Sequence, residues 1–294
     1  MRISDIIEML ILAALWGGSF LFMRIAAPVL GPVWLIEIRV LLAGLALLPF
    51  LIRFNLWDEV RQKFTSLFIV GCINSALPFS LLAFASVSLP AGFTSILNAT
   101  SPLFSTVVAA IWLKEKLTFS RISGLSLGFT GVIILVGMKN FVTTTSFSFF
   151  VAISAGLTAA LLYSIAAPYT KLKLSGISPL TIATISQLSA AIFLLPALPF
   201  TMPKVMPTAI IMLSILVLAL FSTSLAYILY FRLIKNVGST KALTVVYIVP
   251  VFAMLWGRVV LGEPITSSMI LGCCLILLGT AIALSGIFNW LKST

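Results

Sequence analysis

Ten stretches of the chain are apolar for long enough to cross a bilayer. They fall at about 6–27, 32–52, 66–86, 88–112, 119–137, 149–169, 178–199, 207–231, 238–260 and 266–288, against the roughly 20 residues that a spanning helix needs. The runs are continuously apolar, without a period-2 alternation, so they predict helices and not the strands of a membrane barrel. Turn and charge signals separate them: Gly31-Pro32, the charged run from Arg53 to Lys63, Leu89-Pro90, Lys114 to Lys116, Lys171 to Lys173, and Gly262 to Pro264. The first run carries Asp5 and Glu8 ahead of its apolar core and is followed by further spans. It reads as a retained first helix, not a cleaved signal.

Composition agrees with lipid as the solvent. The 294 residues are 61% hydrophobic and 9% charged, where a soluble domain carries about 25% charged residues. The net charge of +11 would suggest nucleic acid in a soluble protein. Here the basic residues sit in short connections, where they act as topology signals. With the N-terminus placed in the cytoplasm, thirteen basic residues fall on the cytoplasmic side and four, including Arg24, on the other. The bias predicts both termini in the cytoplasm; the expected location is a bacterial inner (plasma) membrane, as a multi-pass protein with no nucleic-acid partner. Arg39 alone is left inside a span.

The chain repeats itself at an offset of 148 residues. Pro102 falls on Pro250, Glu115 on Glu263, Thr118 on Thr266, Ser120 on Ser268, Gly124 on Gly272 and Gly131 on Gly279, with no gap. The earlier helices match more weakly, with Arg39 on Gln187 and Trp16 near Tyr163. Five spans per copy is an odd number, so the second copy inserts upside down. The expected fold is an all-α membrane protein of ten transmembrane helices, two inverted five-helix repeats (residues 1–138 and 147–288) around a central cavity. Inverted halves that exchange shapes give alternating access.

Several stretches resemble a known family. Trp16-Gly17-Gly18-Ser19-Phe20 looks like its opening motif, and Arg39 followed by small residues and Pro49 resembles its second helix. The most specific part is Ser101-Pro102-Leu103, then Leu113-Lys114-Glu115-Lys116-Leu117, then Gly124 and Gly131. It recurs at Val249-Pro250-Val251, Leu261-Gly262-Glu263-Pro264-Ile265, Gly272 and Gly279. Together these are similar to the EamA group of the drug/metabolite transporter superfamily. The resemblance implies a central cavity and export or exchange of amino acids or other metabolites, without fixing the substrate. Lys114 stands where the second copy, and usually the family, has glycine.

Polar groups inside a bilayer are costly and each needs a reason. Arg39, with Ala43 and Ala46 on its face, is either an anchor for a substrate carboxylate or a buried structural clamp. Ser95, Asn98, Ser101 and Ser105 form one helical stripe. Pro102 withdraws a hydrogen bond from the Asn98 carbonyl, and Pro250 from that of Val246, so helix breaks are expected in both halves. The expected substrate-binding residues are Trp16, Arg39, Asn74, Asn98, Gln187, Tyr227 and Tyr247, with Tyr230 beside Tyr227. Thr240, Thr244, Tyr247, Met254 and Arg258 share a face of the ninth helix. Three charged groups are candidates for coupling or gating. Arg24 and Glu37 lie at similar depth and are expected to pair. Glu8, near a helix end, reads as a solvated interfacial carboxylate before a proton-coupling one.

Absent motifs narrow the chemistry. The chain holds no histidine, and Cys72, Cys273 and Cys274 lie in apolar runs as core filler. No phosphate-binding GxxxxGK[ST] loop, GxGxxG or HExxH occurs. No catalytic residue, metal site or cofactor is expected. An intramembrane enzyme would need clustered carboxylates, histidines or a nucleophile with its base. The expected partners are a small-molecule substrate and the lipid bilayer. A monomer would suffice, and a homodimer is compatible. Phosphorylated or nucleotide-linked sugars are a second substrate class, and a non-transporting receptor or structural bundle a third reading.

Overall fold

The computed structural model describes residues 2–112, 114, 117–137, 147–203 and 205–291, with the side chains of 239, 240 and 285–291 left out. Besides a short helix at Ser239–Ala242, ten helices run through these residues: α1 (Ile3–Leu30), α2 (Pro32–Arg53), α3 (Trp57–Ser88), α4 (Ala91–Trp112), α5 (Phe119–Gly137), α6 (Phe147–Lys173), α7 (Pro179–Phe200), α8 (Ala209–Val237), α9 (Val245–Leu261) and α10 (Ser267–Leu291). Among the described residues nine are long and apolar enough to cross a membrane, and α9 is a shorter apolar helix. The charged run from Arg53 to Lys63 is not all loop. Its second half is the first turns of α3, with Asp58 and Glu59 at the helix N-terminus, where acidic groups oppose the helix dipole.

The irregular backbone lies in corresponding places. A single π-helical turn interrupts α3 at Cys72–Ala76 and another interrupts α8 at Leu220–Leu225, which is the 148-residue offset again. Helix α4 breaks at Ala99 and Thr100, between the half-helices Ala91–Asn98 and Ser101–Trp112. The expected break at Pro250 does not form. Pro250 sits inside the continuous helix Val245–Leu261, and the chain turns earlier, at Leu243 and Thr244, after the short helix Ser239–Ala242. The turns after α4 and α9 also correspond. Gly262 has φ +68°, and Lys114 adopts φ +54° at the equivalent place, at a cost of about 1 kcal/mol for a side-chain-bearing residue. Leu113, Glu115 and Lys116 of that motif lie outside the described residues.

Packing runs across the two halves of the sequence. Helix α2 packs on α7, α4 on α9 and α5 on α10. Helix α1 packs on α8 and α9, while α6 packs on α3 and α4; α2 also meets α8, and α3 meets α7. Renumbering each helix n as n + 5 leaves this set of pairs unchanged. The α5–α10 contact has the same reciprocity at residue level. A methyl on Gly124 would lie 2.5 Å from the Gly279 carbonyl oxygen, and one on Gly131 would lie 2.9 Å from that of Gly272. Gly124 and Gly272 are repeat equivalents, as are Gly131 and Gly279. Such close backbone approach is what small residues permit in a membrane, where association rests on packing contact.

Candidate functional site

A cavity of about 490 Å³ opens between α1, α2, α3, α4, α6, α8 and α9, with Leu284 of α10 at its edge. The chain builds its walls from three kinds of backbone. The broken α4 contributes its whole serine–asparagine stripe, Ser95, Asn98, Ser101 and Ser105, together with Pro102. The π-helical turns contribute Asn74 from α3 and Ser222 and Thr223 from α8. Regular helix contributes the aromatic walls: Trp16, Phe79, Tyr163, Tyr227, Tyr230 and Tyr247. Trp16 and Tyr230 pack with ring centroids 5.2 Å apart. Val246 and Pro250 line the same space.

Among the described residues Arg39 is the one charged residue on this wall. It is 4% exposed, so its setting decides what it can do. Its Nε donates to Thr223 Oγ1 at 3.0 Å. The Thr223 hydroxyl in turn donates to the Leu218 carbonyl at 2.9 Å, a five-residue reach that the π-helical turn permits. The guanidinium carbon lies 3.9 Å from the centroid of Phe79, in cation–π range. Nη1 has only the weak acceptor Met23 Sδ at 3.9 Å. Among the described residues no carboxylate pairs with Arg39. The side chain is therefore held from its Nε edge and from one face, with a cation's demand for an anion unmet.

The other sequence-derived candidates divide. Trp16, Asn74, Asn98, Tyr227, Tyr247, Pro102 and Pro250 reach the cavity wall with Arg39. Gln187 does not. It is fully buried, and its Nε2 donates to Ser75 Oγ at 2.9 Å. The carbonyl of Asn98, expected to be free, accepts the Ser101 hydroxyl at 2.6 Å. Of the ninth-helix face only Tyr247 lines the cavity. Thr244 turns its hydroxyl to the Lys241 carbonyl and Met254 packs against Gly92; the side chain of Thr240 lies outside the described residues. Tyr163, Ser222 and Thr223 were missed. Tyr163 had a signal as the near-equivalent of Trp16, and Ser222-Thr223-Ser224 is a polar triplet inside an apolar run.

The expected Arg24–Glu37 pair does not form. Arg24 Nε lies 3.3 Å from Glu263 Oε1, and its Nη1 donates to the carbonyls of Ser86 and Val87 at 2.9 and 2.6 Å. Glu263 Oε2 accepts the N–H of Ala91 at 2.9 Å. The pair thus joins the C-terminal end of α3, the N-terminal end of α4 and the turn after α9, each charge sitting on the helix end it favours. Glu37 is buried, and its Oε2 has no hydrogen-bond partner among the described residues. Glu8 is buried, not solvated, and faces Arg232 at 3.6 Å.

Comparison with known proteins follows the same lines. The chain is 24% identical to an uncharacterised transporter of Archaeoglobus fulgidus, over 91% of this chain and 94% of that one. It is 25% identical to the uncharacterised transporter YoaV of Bacillus subtilis, covering 90% and 91%. It is 24% identical to a protein of Streptantibioticus cattleyicolor named "Probable terminal-alkyne amino-acid exporter", covering 90% and 88%. A crystal structure with 17% identity superposes over 96% of this chain and 97% of that one with a TM-score of 0.66, which shows a shared fold. The profile of the EamA-like transporter family matches residues 4–137 and again 150–285. The chain is a multi-pass membrane protein that belongs to the EamA-like transporter family.

Proposed function

We propose that this transporter moves small carboxylate-bearing metabolites, amino acids foremost, out of the cell or in exchange, by alternating access across the plasma membrane. The observation that carries this reading is Arg39: a buried guanidinium, steered by Thr223 and Phe79, on the wall of a cavity and without a carboxylate partner among the described residues. A carboxylate supplied by the substrate satisfies it with charge-assisted hydrogen bonds. The aromatic walls suit an apolar side chain on the same molecule. The exporter name carried by the Streptantibioticus relative supports the same class. A sugar phosphate, with about two negative charges, would call for a second cation, and among the described residues Arg39 is the only charged one lining the cavity.

In this reading residues 1–138 and 147–288 are inverted repeats, and both termini are cytoplasmic. The reciprocal helix pairs support it, as do two matched hydrogen bonds. Arg39 donates to Thr223, and Gln187 donates to Ser75; each partner is displaced by 148 residues. A two-fold axis in the membrane plane produces such an exchange. The Arg24–Glu263 pair then lies at the outer face and holds it shut, and Glu8–Arg232 lies at the inner face. Flux of labelled amino acids into proteoliposomes tests the reading. Wild-type protein is expected to carry at least one of them and Arg39→Gln none. Equal flux by both would contradict it.

A further inference from the structure

The cavity holds a second polar region besides Arg39, at the break in α4. Hydroxyl groups on membrane helices ordinarily turn back onto the helix's own carbonyls. On this helix Thr94, Thr100, Ser101 and Thr106 all do so. Ser95 does not. It is 1% exposed, it lines the cavity, and its Oγ has no hydrogen-bond partner among the described residues. Asn98 Oδ1, one turn along the same stripe, is likewise buried without a partner among the described residues. A buried polar atom left unpaired costs about 1–3 kcal/mol, so two of them on a cavity wall mark a place where a ligand supplies the missing groups.

The backbone at the break decides the polarity of that ligand. The half-helix Ala91–Asn98 ends here, bringing the negative end of its dipole to the cavity. The carbonyl of Ala99, on the cavity wall, receives no backbone N–H among the described residues. The following half-helix would ordinarily offset this with free N–H groups. Pro102 has none, and the N–H groups of Leu103 and Phe104 are both taken by the Thr100 carbonyl. The break therefore presents two acceptors, Asn98 Oδ1 and the Ala99 carbonyl, at the negative end of the first half-helix, together with the Ser95 hydroxyl, which accepts as well as donates; the Asn98 amide N–H groups and the Ser101 N–H are the donors beside them. That set fits a cationic donor group such as a primary ammonium.

Charge balance links the two regions. Among the described residues no carboxylate lines the cavity, so a bare cation would add to the charge of Arg39. An ammonium carried on the same molecule as a carboxylate leaves the cavity with the single charge it has when empty. We infer that Asn98 and Ser95 form an ammonium subsite that, with Arg39 as the carboxylate site, selects zwitterionic amino-carboxylates over simple carboxylic acids. The inference rests on the carboxylate role of Arg39 and adds to it a second polar end.

Binding of matched triads to purified protein tests it, followed by thermal stabilisation. One triad is L-phenylalanine, 3-phenylpropionate and 2-phenylethylamine; another is L-leucine, 4-methylpentanoate and 3-methylbutylamine. Wild type is expected to bind the amino acid of at least one triad about tenfold more tightly than its deaminated acid. Asn98→Ala is expected to reduce that ratio to about twofold, and Asn98→Asp to let the amine bind. Should Asn98→Ala not fold, Ser95→Ala carries the same test with a smaller change in ratio. A ratio that these substitutions leave unchanged, or an acid that binds wild type as tightly as the amino acid, overturns the ammonium subsite and leaves the Arg39 reading standing. Absence of binding by every carboxylate overturns both.

Discussion

Arg39 and Gln187 occupy equivalent positions in the repeated sequence, and the contrast between them shows how one scaffold can hold a charged or a neutral side chain. Each sits mid-way along a helix that packs on its counterpart, α2 on α7. Each donates to a hydroxyl on the π-helical turn of the other half, at 3.0 Å to Thr223 and 2.9 Å to Ser75. The scaffold is shared down to the hydrogen bond. Beyond that bond the two diverge. Gln187 is sealed from the cavity and carries no charge, although its Oε1 is buried without a hydrogen-bond partner among the described residues. Arg39 lines the cavity with a charge that one hydroxyl, one sulfur and one ring do not neutralise. The π-helical turn is the common fitting, and a single change of side chain puts a charge on the cavity wall in one half and a sealed amide in the other.

Exchanging the two residues should break the comparison most severely. The double variant Arg39→Gln, Gln187→Arg keeps the net charge but moves it to the sealed position. It is expected to lose ligand binding by about a hundredfold or more and to lower stability by about 3 kcal/mol, as an unpaired charge is buried. Isothermal titration and thermal denaturation measure both. Recovery of binding would mean that the two positions face one cavity equally.

The two ion pairs sharpen the contrast next. Glu263→Gln is expected to raise reaction of a cysteine placed at Ser222 with an impermeant thiol reagent added outside, by about tenfold, in a protein whose Cys72, Cys273 and Cys274 are replaced. The basis is loss of a partly buried pair that also caps two helix ends. Arg232→Ala at the other pair is expected to lower stability by about 1 kcal/mol, because Arg232 is 68% exposed there while its partner Glu8 is left buried without a counter-charge.

Thr223→Val is expected to weaken ligand binding by about tenfold, with Thr223→Ser restoring it, since only the hydroxyl steers Nε. The smallest effect belongs to Gln187→Leu. Removing its bond to Ser75 should cost about 0.6–1.7 kcal/mol and leave the ranking of ligands as in wild type. A changed ranking would show that Gln187 enters the cavity during the cycle.

Much of this was readable before the structure because lipid imposes strong rules. Apolar run length gave the spans, and the cost of a mid-membrane charge singled out Arg39. The 3.6-residue stripe placed Ser95, Asn98, Ser101 and Ser105 on one face, and all four line the cavity. What stayed hidden depends on contacts between distant segments. Depth alone suggested Glu37 for Arg24, but the turn after α9 brings Glu263 closer, 239 positions along the chain. Gln187 looked like a cavity residue because its partner, Ser75, lies 112 positions away. Pro250 looked like a break because proline removes a hydrogen bond, yet the turn at Leu243 and Thr244 relieves the helix first. The π-helical turns carry no sequence signature that would have announced them, and Thr223 was missed with them.

Ligand specificity of purified wild-type and Arg39→Gln protein tests the central claim most directly. Carboxylates should stabilise the wild type, their methyl esters should not, and neither should stabilise the variant. A compound that stabilises both proteins equally as acid and as ester would contradict a guanidinium anchor in the cavity.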